Sequence, residues 1–251
     1  FSIFWVLHTH PCPYTEPSVP KYRGVNVSEE NDKEVLFEVT EDHLNTGLRG
    51  IPVGTCRTSF VDPKKGVHYC GYPVGDLAEM DPEDVIFLLF EKRLPNRQES
   101  QDFRHELAQR AERMPTGALR VLESLTPSSG HPMDWLSIGI QALGLAETTG
   151  DIRADGLNLI SRMPELMATI FRLRGGRGLP DVASEPEIGM VENFVNLLGM
   201  EGVDANRMTR TLRVFLVLHM DHGGGNLSTF TGKAVASGWA SLYGSISSAM
   251  N

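Results

Sequence analysis

The spacing of apolar positions along this chain changes character near residue 80. Before it, short runs have strand composition: Val35-Leu36-Phe37, the stretch 51–58, and the pair 58–61 and 67–70. Asp62-Pro63-Lys64-Lys65-Gly66 lies between the last two. Proline there fixes φ and glycine accepts a positive one, so the segment predicts a β-hairpin. From Pro82 onward the apolar positions recur at helical spacing. Val85, Ile86, Leu88 and Leu89 share a face of a helix that Leu94-Pro95 ends. Phe103, Leu107 and Ala111 fall four apart in a charged helix over 97–113. Pro115 opens a third helix, to about residue 125.

Further helices follow over 132–146, carrying Met133, Leu136, Ile140 and Leu143, and over 151–174. In the latter, Pro164 removes a backbone donor and marks a place to bend. Residues 175–185, with three glycines and Pro180, read as a flexible loop. Helices are then expected over 186–200, 204–220 and 228–250, with Asp204 as an N-cap. Leu212, Phe215, Leu216 and Leu218 make the 204–220 helix apolar around most of its circumference, which predicts burial. The 228–250 helix is built from small residues (Ala234, Ser237, Gly238, Ser241, Ser245, Ser248) that let a neighbouring helix approach closely. The fold class is therefore mainly α, with a small N-terminal β-hairpin. Residues 1–33, rich in proline and then in charge, are expected to form an extended arm, and 34–251 a single large helical domain.

Composition narrows the function classes. The 251 residues are 41% hydrophobic and 22% charged, within the ordinary globular range. A net charge of −9 argues against nonspecific nucleic-acid binding, which needs a basic face for the phosphates. A basic pocket for a small anion remains compatible with it. Three cysteines, Cys12, Cys56 and Cys70, with no CxxC, do not make a disulfide framework and suggest a reducing compartment. No apolar run reaches the roughly 20 residues of a membrane span. The chain opens on Phe1-Ser2-Ile3-Phe4-Trp5-Val6-Leu7 with no initiator methionine, which reads as the edge of something longer.

The densest polar cluster is His219-Met220-Asp221-His222-Gly223-Gly224-Gly225-Asn226-Leu227-Ser228, at the end of the most apolar helix. Titratable groups at the edge of a core, beside glycines that let backbone amides approach a ligand, are what a pocket requires. Two histidines at a helix C-terminus would equally serve to complement the negative end of the helix dipole. A metal centre needs a third and fourth ligand at a recognised spacing, and none is found. The three glycines are not followed by Lys-Ser/Thr, so they do not form a phosphate loop. Arg49, between Gly47-Leu48 and Gly50, and the group Arg172, Arg174 and Arg177 are the remaining candidates. The latter reads as a mobile basic patch suited to a phosphate, or as a solvated loop.

The string from Leu218 to Thr231 resembles the signature region of citrate synthases. Gly47-Leu48-Arg49-Gly50-Ile51-Pro52, Tyr69-Cys70-Gly71-Tyr72-Pro73-Val74-Gly75-Asp76-Leu77 and His131-Pro132-Met133-Asp134 resemble further segments of that family, in the family's order. The resemblance runs from about residue 35 to residue 251. It implies a mainly helical fold, a homodimer, and condensation of acetyl-CoA with oxaloacetate to citrate and CoA without a metal. His222 then matches the oxaloacetate-binding histidine, and His219, Asn226 and Ser228 its site-shaping neighbours. Arg49 matches an arginine that contacts CoA phosphate, and Arg177 falls near another offered across the dimer. Gly223 stands where the family usually has glutamate.

In the family, the enol-stabilising His, the ketone-polarising His, the catalytic Asp and the small domain follow this region. These 251 residues by themselves are therefore expected to contain no catalytic residue and to release no CoA. Three alternatives share the same features: a 2-methylcitrate synthase, a noncatalytic helical scaffold that dimerises, and a metal hydrolase on His219, Asp221 and His222. The expected compartment is bacterial cytoplasm or mitochondrial matrix, the cytoplasm first. No membrane or nucleic-acid partner is expected.

Overall fold

A computed structural model describes residues 38–45, 56–111, 113–221 and 227–250. The expected hairpin forms: strand β1 (Ser59–Asp62) pairs antiparallel with β2 (Gly66–Tyr69), Asp62 facing Gly66. Asp62 holds the turn itself. Its Oδ1 accepts the N–H groups of Lys64 and Lys65 at 2.7 and 2.8 Å, and Gly66 takes φ +82°. A third strand, β3 (Tyr72–Pro73), was not anticipated and pairs with β2. Within the stretch 51–58 expected as strand, only 56–58 are described, and they are not strand. Val35, Leu36 and Phe37, like the arm 1–33, lie outside the described residues.

Ten α-helices are found among the described residues. They are α1 (Val74–Leu77), α2 (Pro82–Glu91), α3 (Arg97–Arg110), α4 (Thr116–Glu123) and α5 (Pro132–Glu147). Then come α6 (Ile152–Arg174), α7 (Met190–Leu198), α8 (Ala205–Leu218), α9 (Leu227–Ser237) and α10 (Leu242–Ala249). Their starts follow from local chemistry. Asn96 and His131 close capping boxes with Glu99 and Asp134. The side chains of Asp151, Asp204 and Ser241 accept an N–H three residues on. α6 runs on through Pro164.

The core is assembled from faces at helical spacing. Val85, Leu88 and Leu89 of α2, Ile140 and Leu143 of α5, and Leu157, Leu159 and Leu166 of α6 are fully buried or nearly so. Each such side chain is worth about 1.5–3 kcal/mol of burial. Small residues set the closest approaches. A Cβ added at Gly144 would stand 2.6 Å from Tyr243 Cβ, and one at Gly139 2.6 Å from Leu166 Cδ1.

Three expectations are corrected. The helix expected over 228–250 is two helices, α9 and α10. Gly238 and Trp239 (φ +65°) make tight bonds back to Val235 and Ala236, and Ser241 caps a new start. The helix expected over 186–200 begins only at Met190, because a turn held by Asn193 occupies the preceding residues. Asn193 accepts the N–H of Glu185 and donates to the carbonyls of Glu185 and Ile188. Finally, α8 is not enclosed. Val217 is its one buried residue, and Phe215 is 53% exposed. Leu218 is exposed beside it.

Candidate functional site

The carboxyl end of α8 is where the polar cluster begins, and two elements distant in sequence fix it. Tyr69, at the end of β2, is completely buried. Its hydroxyl donates to the Val217 carbonyl at 3.0 Å and accepts the Asp221 N–H at 3.2 Å. A helix leaves its last carbonyls without intrahelical donors, and this phenol supplies one of them. Met220 turns its side chain into the core beside Val217.

His219 is the C-cap of α8. Its ring stacks on Phe215, with centroids 4.2 Å apart and planes at 24°. Nδ1 lies 2.8 Å from the Phe215 carbonyl oxygen, which can only accept. Nδ1 therefore carries the proton, and in the neutral ring Nε2 is left as an acceptor toward the exposed side. Ser228 is half-buried in the first turn of α9. His219 and Ser228 thus flank the segment 222–226. His222 and Asn226, like Arg49, lie outside the described residues.

Beside this helix end sits a group that sequence reasoning did not pick out as a site. Lys92 caps α2 in a left-handed conformation, φ +62°, and its Nζ donates to the Leu89 carbonyl at 2.5 Å. Burial lowers the Lys92 pKa, against the opposing influence of Cys70 and Asp221. Burial raises the Cys70 thiol pKa, opposed by the Lys92 charge and assisted by Asp221. Cys70 Sγ donates to the carbonyls of Thr58 and Leu88, each at 3.5 Å, and Cys56 and Cys70 both remain thiols. On α9, burial lowers the Lys233 pKa, with Cys56 opposing. The hairpin, the end of α2 and the end of α8 therefore pack together in one partly buried corner. Tyr69, Cys70 and Asp221 stood in strings that the sequence singled out, whereas Lys92 and Lys233 did not. That burial would bring Lys92 there had no local signal.

Within the basic patch expected around residues 172–177, Arg172 is committed to the protein's own backbone. Arg172 is 7% exposed, and its guanidinium donates to the carbonyls of Arg177, Gly178 and Leu179 and to Asp181. It folds the 175–181 segment around itself, which replaces the expected flexible loop with a held one. Arg174 donates to the Ser129 carbonyl and lies over the Trp135 ring. Arg177 is exposed, its Nη1 donating to the Gly199 carbonyl at 3.1 Å, after α7 rather than at the end of α8.

A cavity of about 100 Å³ lies elsewhere, between α2, α3, α6, α7 and the segment before Met190. Glu83, Arg104, Ser161 and Pro164 line it, and none of the described residues of the 219–228 cluster does. Burial raises the Glu83 pKa, while its carboxyl accepts the Met190 N–H at 2.7 Å. Among the described residues, no group of three or more His, Cys, Asp or Glu is placed to hold a metal ion. No helix among them is long and apolar enough to cross a membrane.

Comparison with known proteins places this geometry. The mitochondrial citrate synthase 4 of Arabidopsis thaliana is 27% identical over 248 residues, covering 88% of this chain and 51% of that protein. The crystal structure of citrate synthase from Thermotoga maritima superposes with a TM-score of 0.70 at 26% identity, over 82% of this chain and 54% of that one. Citrate synthase from Pyrobaculum aerophilum, at 24% identity, a TM-score of 0.67 and coverage of 81% and 53%, shares the fold. The chain thus spans about half the length of the relatives it matches. Residues 47–251, from before the hairpin to the end of α10, match the family described as citrate synthase, C-terminal domain, and the chain belongs to the citrate synthase family.

Proposed function

We propose that the protein condenses acetyl-CoA with oxaloacetate to give citrate and CoA, and that this chain supplies the dicarboxylate-binding part of the site. The observation that carries the reading is the His-x-Asp-His cluster at the carboxyl end of α8, within a chain matched to the family from residue 47 onward. In this reading His222 binds oxaloacetate, and His219, Asn226 and Ser228 shape the site around it. The His219 ring is suited to that part. With Nδ1 donating to Phe215, its orientation is fixed and Nε2 offers a defined acceptor to whatever adjoins it. Arg49 and Arg177 take CoA phosphate. Arg177 is exposed and, among the described residues, its side chain donates to one carbonyl, so it can reach a ligand without breaking a buried network.

The catalytic acid–base groups are assigned to none of the 251 residues. The condensation needs a carboxylate to take the acetyl methyl proton and donors for the developing enol oxygen. No described residue near the end of α8 combines those roles. Two copies of the chain are proposed to pair through the uncovered face of α8, where Phe215 and Leu218 are exposed, together with Leu227 of α9. An apolar surface of this kind on a helix beside the site fits a second copy of the same helix. We place the protein in the bacterial cytoplasm or mitochondrial matrix, the cytoplasm first, consistent with Cys56 and Cys70 as thiols.

The test is CoA release, followed as free thiol, by the protein from its native source. Acetyl-CoA and oxaloacetate are expected to give release, and the 251 residues alone none. Faster release with propionyl-CoA than with acetyl-CoA would reassign the acyl specificity to a 2-methylcitrate synthase. No release with either would refute the enzyme reading.

A further inference from the structure

The Tyr69 hydroxyl makes a contact pattern that packing alone does not require. A completely buried phenylalanine would fill the same space. The hydroxyl instead bridges two backbone groups four residues apart, donating to Val217 O at 3.0 Å and accepting from Asp221 N at 3.2 Å. Those groups bracket the exit of α8. The bond to Val217 closes the last turn, and the bond to Asp221 fixes the direction in which the chain leaves it. Between them, His219 makes its own bond back to Phe215. The bridging atom comes from β2, 148 residues earlier in the chain.

The strand that supplies this bridge is itself held in place. The strand that carries Tyr69 is anchored on its other side, Cys70 N–H donating to Thr58 O at 2.8 Å. The next residue, Cys70, reaches the Leu88 carbonyl on α2 through its thiol. Lys92, at the end of α2, carries the positive charge that faces Asp221 and Cys70. The hairpin is thus bonded to α8 through Tyr69 and to α2 through Cys70.

We infer that Tyr69 is a positioning residue for the dicarboxylate site: its hydroxyl, bridging Val217 O and Asp221 N–H, sets the geometry of the His219–Asp221 turn from which the cluster continues. It touches no reacting atom in this role. The inference rests on the functional reading above for the word dicarboxylate, but the bridge itself is independent of that reading.

The experiment uses Tyr69→Phe in the 251-residue chain, with Leu122→Val as a control. Leu122 is a fully buried residue of α4 and supplies a comparable core perturbation outside the hairpin and α8. Two readouts are taken by NMR. The first is amide hydrogen exchange. Tyr69→Phe is expected to speed exchange at Asp221 by about tenfold or more relative to the amides of α5, the factor that corresponds to one lost hydrogen bond. Leu122→Val should leave that ratio unchanged. Equal acceleration in both helices, or none at Asp221, overturns the inference. The second is the His222 ring resonance, identified by its loss in His222→Asn, followed during titration with oxaloacetate. Tyr69→Phe should weaken the response about tenfold, while Leu122→Val does not. If oxaloacetate moves the ring equally in the wild type and Tyr69→Phe, the positioning role is refuted and the functional reading stands. If it does not move the wild-type ring at all, the functional reading falls, and the exchange data still decide the bridge.

Discussion

The contact between α5 and α10 offers a substitution whose effect can be worked from geometry. A Cβ on Gly144 would lie 2.6 Å from Cβ and 2.7 Å from Cγ of Tyr243. Carbon atoms rest about 3.5–4.0 Å apart, so the two helices must separate by ~1 Å. Tyr243 cannot give way. The clash is at the root of its side chain, the residue is completely buried, and its hydroxyl reaches Glu147 at the far end. Overpacking of this kind costs about 3 kcal/mol at the upper end of its usual range. Replacing glycine by alanine within a helix returns about 1 kcal/mol. Gly144→Ala should therefore destabilise the chain by about 2 kcal/mol, lowering Tm by roughly 4–8 °C. Two sister substitutions separate sterics from propensity. At Gly117 nothing stands within 4 Å, so Gly117→Ala should stabilise by up to about 1 kcal/mol. At Gly139 the obstacle is Leu166 Cδ1, the far end of a side chain, so Gly139→Ala should fall between them. Urea denaturation followed by far-ultraviolet circular dichroism measures all three. If Gly144→Ala proves as stable as Gly117→Ala, the reasoning from small residues to close helix approach is wrong.

Other outcomes follow from single interactions. Arg172→Met leaves the carbonyls of Gly178 and Leu179 without their donor and should cost about 1–3 kcal/mol, read also as faster tryptic cleavage after Arg174 and Arg177. Glu83 has a folded pKa raised by burial. The stability it contributes is complete below the unfolded carboxylate value, about pH 4.3, and is lost as the pH rises through the folded one. Glu83→Gln keeps an acceptor for Met190 N–H and should flatten that decline in denaturation curves taken from pH 4 upward. Phe215→Glu should make the native protein sediment as a monomer while leaving the chain's own melting nearly unchanged, since Phe215 is more than half exposed; a dimer that survives it pairs through another face.

Much of this fold could be read from spacing because its helices announce their own ends. Asp204 and the Asp62-Pro63-Lys64-Lys65-Gly66 turn behave as their side chains dictate, through bonds to N–H groups two or three residues away. Errors arose where an end depends on a competing local structure. Gly238 was counted among the small residues of one long helix, although glycine followed three residues later by Ser241 is also a stop and a new cap. The expected enclosure of α8 came from counting apolar residues around a helix. That count says a face must be covered and does not say by which chain. Of the site, the sequence displayed His219, His222 and Ser228 side by side because they are local. Tyr69 and Lys92 could not be seen that way, since their bond to Val217 and their charge opposite Asp221 exist only after β2, α2 and α8 have packed. The role of Arg172 was hidden for a related reason: glycines follow it at 175, 176 and 178, and only the fold shows the carbonyls of Arg177, Gly178 and Leu179 turned back onto it.

The central claim is that residue 222 grips a dicarboxylate keto acid, and isothermal titration of oxaloacetate into the wild-type chain and His222→Asn tests it most directly. The account predicts saturable one-to-one binding that weakens by about 10- to 150-fold in the variant, the range for losing a hydrogen bond to a charged group. Equal affinity in the two proteins, or no heat of binding in the wild type, contradicts it.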